Sequence, residues 1–359
     1  MTDVNGFNVQ ALDDGYGDVK YLSNGKGVLL PSFVTPFKPK PEDLFSKGSD
    51  HSSYISSEID GMRYTIGEYA SKLDPSIKWI GGENKHVDSR FPVLFKTVLG
   101  LMTPNPVENI DLLVMNLPIK YDTPERRDFL ESVAVDTHKV AISYDGIEFS
   151  HKKVSVNKLI VKKQPFGSLC DLILDDCGDI QDYDLAKGFN VIIDIGARTL
   201  NILTVEGLEE QPHLTIQTND GMFEAYRQVA DYLENALGTI IPEGKLPQII
   251  RSRTVKDMDL TPLIDYAFQN LANNILSILD RVLINSWGFV TSIIFTGGGT
   301  ELLKTYLEER MKNKNIRIIT MNRYSNVKGL GKFGRRCAKN MEENRSVLAI
   351  GRSGDTCEY

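Results

Sequence analysis

Apolar and polar positions alternate through Phe7-Asn8-Val9-Gln10-Ala11-Leu12, break at Asp13-Asp14-Gly15-Tyr16-Gly17, and resume as Val19-Lys20-Tyr21-Leu22. This pattern predicts two strands joined by a glycine turn, a β-hairpin. Val28-Leu29-Leu30, stopped by Pro31, predicts a third strand. Residues 35–90 lose periodicity and fill with Pro, Lys, Ser and Gly, so they read as a smaller inserted subdomain with a short strand at Met62-Arg63-Tyr64-Thr65-Ile66. Pro92 then fits the first turn of an apolar helix through Leu94, Phe95, Val98, Leu99 and Met102. The run Leu112-Leu113-Val114-Met115, closed by Leu117-Pro118, predicts a strand buried on both faces. Thr123-Pro124-Glu125 has the cap, the proline and the acid expected at a helix start.

A second hairpin pattern covers 191–194 and 201–205, joined by Ile195-Gly196-Ala197-Arg198-Thr199-Leu200. One helix is predicted over about 222–237. Another carries Ile264, Phe268, Leu271, Ile275, Ile278 and Val282 on a single stripe. Ser292-Ile293-Ile294-Phe295 reads as a strand running into Thr296-Gly297-Gly298-Gly299, with a helix beginning near Thr300. A hairpin followed by helices thus occurs twice, which predicts an α/β protein of two related halves.

Composition narrows the function. The 359 residues suit two or three domains, and 41 Lys and Arg against 48 Asp and Glu leave a net charge of −7. That balance disfavours a chain that grips nucleic acid or an anionic membrane through a broad basic field. No apolar run approaches the ~18 residues that span a bilayer. The start Met1-Thr2-Asp3-Val4-Asn5-Gly6 has no signal-peptide pattern, so a cytoplasmic location is expected. Cys170, Cys177, Cys337 and Cys357 form no C-x-x-C pair, and the five histidines show no H-x-x-x-H spacing, which argues for reduced thiols and against a zinc site.

Three glycine-centred turns follow apolar strands. In the first, Gly15, Tyr16 and Gly17 allow backbone amides to converge on an anion, and Lys20 adds a point charge. Asp13 fits beside phosphate only with a Mg²⁺ between them. In the second, Asp194 ends a strand, Gly196 permits the turn, Ala197 and Arg198 complete it, and Thr199 can bond a phosphate or a metal-bound water. In the third, Gly297, Gly298 and Gly299 allow a planar base or its ribose to lie against backbone. Gln164, at a strand-to-helix junction, can orient a water without taking its proton. Alone, each of the first two turns is also what an ordinary surface hairpin looks like, and the third is what close helix–strand packing in any α/β fold looks like. Lys38-Pro39-Lys40 and Arg335-Arg336 read as solvated surface.

In their order, these motifs resemble those of the actin-like ATPase superfamily. The phosphate-1 motif resembles Asp13-x-Gly15-x-Gly17-x-x-Lys20, the phosphate-2 motif Asp194-x-Gly196-x-x-Thr199, and the adenosine motif Gly297-Gly298-Gly299. The connecting segments are similar to Asn116-Leu117-Pro118 and Asn326-Val327-Lys328-Gly329. Val28-Leu29-Leu30-Pro31-Ser32 and Asn326-x-x-Gly329-Leu330 are most similar to plasmid-segregation actins of the ParM (StbA) type.

The resemblance implies an actin-like, ribonuclease H-like, duplicated α/β fold with a central nucleotide cleft. Residues 1–170 would form the first domain, with the insertion at about 35–90. Residues 171–330 would form the second, with a small subdomain at about 219–285. Residues 331–359 would be a C-terminal helix packing back on the first domain, ending in a flexible tail at Gly351-Arg352-Ser353-Gly354-Asp355.

The resemblance also implies Mg-ATP, with GTP as the alternative. Asp13 and Asp194 would hold Mg²⁺ mostly through water. Gly15, Tyr16, Gly17 and Lys20 would cradle phosphates opposite Gly196, Ala197, Arg198 and Thr199, Gly297–Gly299 would meet adenosine, and Gln164 would position the hydrolytic water. Asn201 stands where the family commonly has an acid. Glu224 and Arg227 are candidates to flank the base. The implied function is a filament-forming ATPase that segregates plasmid DNA. Its partners would be itself and a DNA-binding adaptor, with no direct nucleic-acid or membrane contact. The alternatives are a cell-shape or division actin and a small-molecule kinase.

Overall fold

The computed structural model describes residues 6–40, 54–74, 76–80, 85, 88–312 and 315–353, with side chains up to residue 342. Two central sheets share one topology. In the first, Val9–Asp14, Asp18–Ser23 and Lys26–Pro31 form an antiparallel meander, and Leu112–Leu117 and then Leu159–Lys163 add parallel strands beside the first strand. In the second, Phe189–Ile195, Leu200–Glu206 and Glu209–Glu210 make the meander, and Ser292–Thr296 and Arg317–Thr320 the parallel pair. The repetition read from the hydrophobic pattern is therefore a repetition of strand order.

Alternate side chains of the buried strands enter different cores, which explains their continuous apolar runs. Leu113 and Met115 pack with the helix Phe91–Met102, while Leu112 and Val114 pack with Val327, Leu330 and Ala338 of the helix Ser325–Ser353. In the second half, Val191, Ile193 and Ile195 join Met222, Val229 and Leu271. Ile192 and Ile294 meet Leu169 and Ile173 of the helix Phe166–Ile173. The helices Met222–Leu237 and Thr261–Val282 match the predicted spans and share the core of the second sheet.

Several expectations change. The small sheet is not confined to 35–90. It orders Val34–Pro36, Met62–Ile66, Ile55–Ile59, Thr137–Ser143, Ser150–Val156 and Val107–Ile110 edge to edge. The C-terminal helix begins at Ser325 and runs through Ser353, so Gly351–Ser353 of the expected flexible tail are helical backbone; Gly354, Asp355 and Cys357 lie outside the described residues. Met1–Asn5 also lie outside them. Arg335 is buried rather than solvated, and Arg336 donates to the Gly178 carbonyl at 3.1 Å. Lys38 pairs with Asp74 at 3.3 Å. Cys170, Cys177 and Cys337 carry no disulfide. Among the described residues no helix is long and apolar enough to cross a membrane.

One helix crossing fixes the halves together. A Cβ on Gly167 would stand 2.2 Å from the Asn326 carbonyl oxygen, and one on Gly329 would overlap the Gly167 carbonyl oxygen. The two helix backbones therefore touch here, which explains Gly329 in the connecting motif.

Candidate functional site

Asp13 is the next-to-last residue of the first strand and is buried. Its Oδ1 accepts from Asn116 Nδ2 at 2.7 Å, Asn326 Nδ2 at 3.1 Å and Gln164 Nε2 at 3.4 Å, and its Oδ2 pairs with Lys20 Nζ at 3.1 Å. Hydrogen bonds to an ionised group are the strong ones, and here four elements supply them. The Asn residues of both connecting segments converge on this carboxylate. Neither had been read as a site residue, although a lone Asn inside the apolar run of 112–117 is a legible signal.

Asp194 takes the same next-to-last place in the matching strand of the second half, which ends at Ile195 rather than at Asp194. Burial and the facing Asp13 charge, partly offset by Lys20, push its carboxyl up to about 7. Burial alone would lower the Lys20 ammonium, but Asp13, Asp18 and Asp194 outweigh it and hold it above the ordinary lysine value. Asp18, partly buried, is raised by desolvation against the pull of Lys20, Arg323 and Lys85. The site therefore concentrates carboxylates beyond the charge its lysines balance.

The second turn is stapled to the helix behind it. Gly196 N donates to Thr199 O at 2.9 Å, closing the turn. The carbonyls of Gly196, Ala197 and Arg198 accept from Met222 N (3.0 Å), Phe223 N (2.8 Å) and Gly221 N (3.2 Å). The two turns approach each other closely: a Cβ on Gly17 would sit 3.1 Å from Ala197 Cβ. A Cβ on Gly15 would sit 2.7 Å from the Asp18 carbonyl oxygen and 3.5 Å from Lys20 Nζ, so the first turn wraps its own lysine.

Asn201 joins the halves. It receives Ile119 N at 3.3 Å and donates Nδ2 to Thr199 Oγ1 at 3.2 Å and to Gln164 Oε1 at 3.5 Å. Gln164 thus spans Asp13 and Asn116 on one side and Asn201 on the other.

The third motif is tighter than a glycine loop. Gly297 caps the helix Gly298–Met311 with φ 90° and ψ 169°, so the helix starts at Gly298 rather than near Thr300. A Cβ on Gly297 would stand 2.2 Å from Asp194 Oδ1, and one on Gly299 would stand 2.5 Å from Ile195 Cγ2. Nothing lies within 4 Å of a Cβ on Gly298.

Beside the turns opens a cavity of about 700 Å³ lined by Tyr16, Arg198, Thr199, Glu224 and Arg227 among others. At its edge Trp79 stacks on Phe33 (4.9 Å) and meets Phe223 (4.8 Å), and the Arg198 guanidinium lies 5.5 Å above Phe223. Tyr16 is buried edge-on to Tyr121 at 6.3 Å. The structure therefore gathers Asp13, Lys20, Gln164 and Asp194, brings both turns together and sets the third motif against Asp194. Arg198 reaches outward to Phe223.

Among the described residues no group of three or more His, Cys, Asp or Glu could hold a metal. Two facing carboxylates in a buried, oxygen-rich setting nevertheless fit Mg²⁺, which keeps several waters and binds few protein ligands.

Two family models cover most of the chain. Residues 11–167 match the N-terminal domain of actin-like proteins, and residues 192–309 match the C-terminal part of archaeal MreB-like actin homologues. Both halves of the chain thus match actin-like families. An archaeal actin homologue of Thermoplasma acidophilum is 24% identical over 84% of this chain and 90% of its own length. The structure of a 15-stranded ParM filament from Clostridium botulinum superposes with a TM-score of 0.75 at 20% identity, covering 92% of this chain and 99% of that one. The archaeal actin homologue Ta0583 in complex with ADP gives a TM-score of 0.69 at 20% identity, covering 93% and 100%. The chain has the actin-like fold that the motif resemblance implied.

Proposed function

We propose that this actin-like protein binds Mg-ATP between its two glycine turns, hydrolyses it, and assembles with copies of itself into filaments in the cytoplasm. The observation that carries this reading is the buried Asp13–Asp194 pair with Lys20 beside it, set where the two turns meet. Two acids forced together without enough cation are costly unless a metal and a polyphosphate complete the site.

Asp13 and Asp194 would hold Mg²⁺ mostly through water, and a metal there would neutralise charge on the β- and γ-phosphates. Gly15, Tyr16, Gly17 and Lys20 would cradle those phosphates from one side. Gly196, Ala197, Arg198 and Thr199 would face them from the other. Gly297, Gly298 and Gly299 would meet the adenosine. Gln164 holds a side-chain amide between Asp13 and Asn201, where it would orient the attacking water.

The self-association reading is supported by likeness to the ParM filament. With a net charge of −7, attachment to plasmid DNA would pass through a DNA-binding adaptor. Phosphate release tests the chemistry. Wild-type protein should release phosphate from Mg-ATP, with GTP run in parallel, and Gln164→Ala should slow release at least tenfold while binding ADP normally. Unchanged release would remove Gln164 from the mechanism.

A further inference from the structure

Lys85 comes from a stretch with no readable pattern, yet it is 2% exposed and reaches the first turn. Its Nζ lies 2.5 Å from Asp14 Oδ1 and 2.5 Å from the Gly15 carbonyl oxygen. Burying an ammonium costs several kcal/mol unless charge and hydrogen bonds compensate. Asp14 supplies the charge. The Gly15 carbonyl is a further bond that simple charge pairing does not require.

That carbonyl matters because a trans peptide is planar, with its C=O and the next N–H pointing opposite ways. The cis peptide bond found among the described residues is Gln164–Pro165, so the bond after Gly15 is trans. Drawing the Gly15 oxygen toward Lys85 therefore turns the Tyr16 N–H away from Lys85. Among the described residues that N–H has no backbone acceptor. The next residue, Gly17, is the one that approaches Ala197 of the opposite turn.

We propose that Lys85 is a positioning residue for nucleotide phosphate: by anchoring the Gly15 carbonyl it aims the Tyr16 N–H into the space between the turns, where a phosphoryl oxygen would sit. The role rests on the nucleotide reading above. It also explains why a second acid, Asp14, is tolerated beside Asp13 at an anion site, since Lys85 neutralises it. Lys85 touches neither phosphate nor water in this role and acts through the peptide it holds.

Lys85→Met alone would take away the cation that the buried Asp14 faces, so the deciding variant is Asp14→Asn with Lys85→Met, which strips both charges together. Calorimetric titration with ADP and with adenosine separates a phosphate effect from general damage. The double variant should melt within a few degrees of wild type, bind adenosine within twofold, and bind ADP at least fivefold more weakly. A smaller loss for ADP, an equal loss for adenosine, or a variant that does not fold would each overturn the positioning role. Wild-type protein that binds neither ligand would refute the nucleotide reading, and this role with it.

Discussion

Two neighbouring glycines should respond in opposite ways to the same added methyl group. Gly297 adopts φ 90° and ψ 169°, and a Cβ there would meet Asp194 Oδ1 at 2.2 Å and the Ile195 carbonyl oxygen at 2.6 Å. Backbone strain at such a position costs ~1–3 kcal/mol. Displacing packed neighbours adds roughly 1–3 kcal/mol more. Gly297→Ala should therefore lose on the order of 2–6 kcal/mol of stability, with Asp194 pushed out of place. Gly298, one residue on, opens the helix with nothing within 4 Å of its Cβ position. There Ala should leave stability unchanged or raise it by up to ~1 kcal/mol, since Ala is the better helix former.

If the open space at Gly298 is kept for adenosine, the same methyl should weaken ADP binding at least tenfold. That loss would remove about 1.4 kcal/mol of ADP-linked stabilisation at saturating ligand. Urea unfolding of both variants, with and without ADP, reads all of these quantities. Wild-type stability in Gly297→Ala would refute the packing account, and full ADP-linked stabilisation in Gly298→Ala would refute the adenosine assignment.

Asp194→Asn should change the pH dependence of the metal-free protein. An acid raised from its ordinary 3.8 to about 7 binds more protons folded than unfolded between those values, so stability falls as pH rises across that window. The Asn variant lacks this loss and should exceed wild type at pH 8 by up to roughly 4 kcal/mol, with the gap closing toward pH 4. Melts in a chelator check it, and a gap independent of pH would contradict the assigned burial. Asn201→Ala removes the link among Ile119, Thr199 and Gln164. It should lower ATP turnover roughly tenfold to a hundredfold through misplacement of Gln164. ADP affinity in the same variant should hold within threefold, and equal losses in both would make Asn201 structural instead.

The fold was legible wherever two-faced burial wrote continuous apolar runs, as at 112–117 and 292–296, and wherever a stripe ran along 261–282. In the small sheet Met62–Ile66 was legible, but the strands Ile55–Ile59 and Ser150–Val156 were not, since they mix Ser, Glu and Lys with few apolar anchors. The site's turns were legible because glycine and acid punctuation follows each hairpin strand. The partners of Asp13 were not, since hydrogen bonds from Asn116 and Asn326 span 103 and 313 residues of sequence. Lys85 had no local signal at all. Its burial depends on Asp14, 71 positions earlier, and on no periodicity of its own segment. Arg335 was misread because a charged pair in sequence does not reveal which of its members faces the core.

The central claim is that nucleotide in this cleft drives assembly. Electron microscopy of the purified wild-type protein, with Mg-ATP and without nucleotide at equal concentration, tests it most directly. The account predicts filaments with Mg-ATP, none without it, and none for Asp194→Ala under either condition. Filaments that form equally well without nucleotide, or a discrete monomer at high concentration with Mg-ATP, would contradict it.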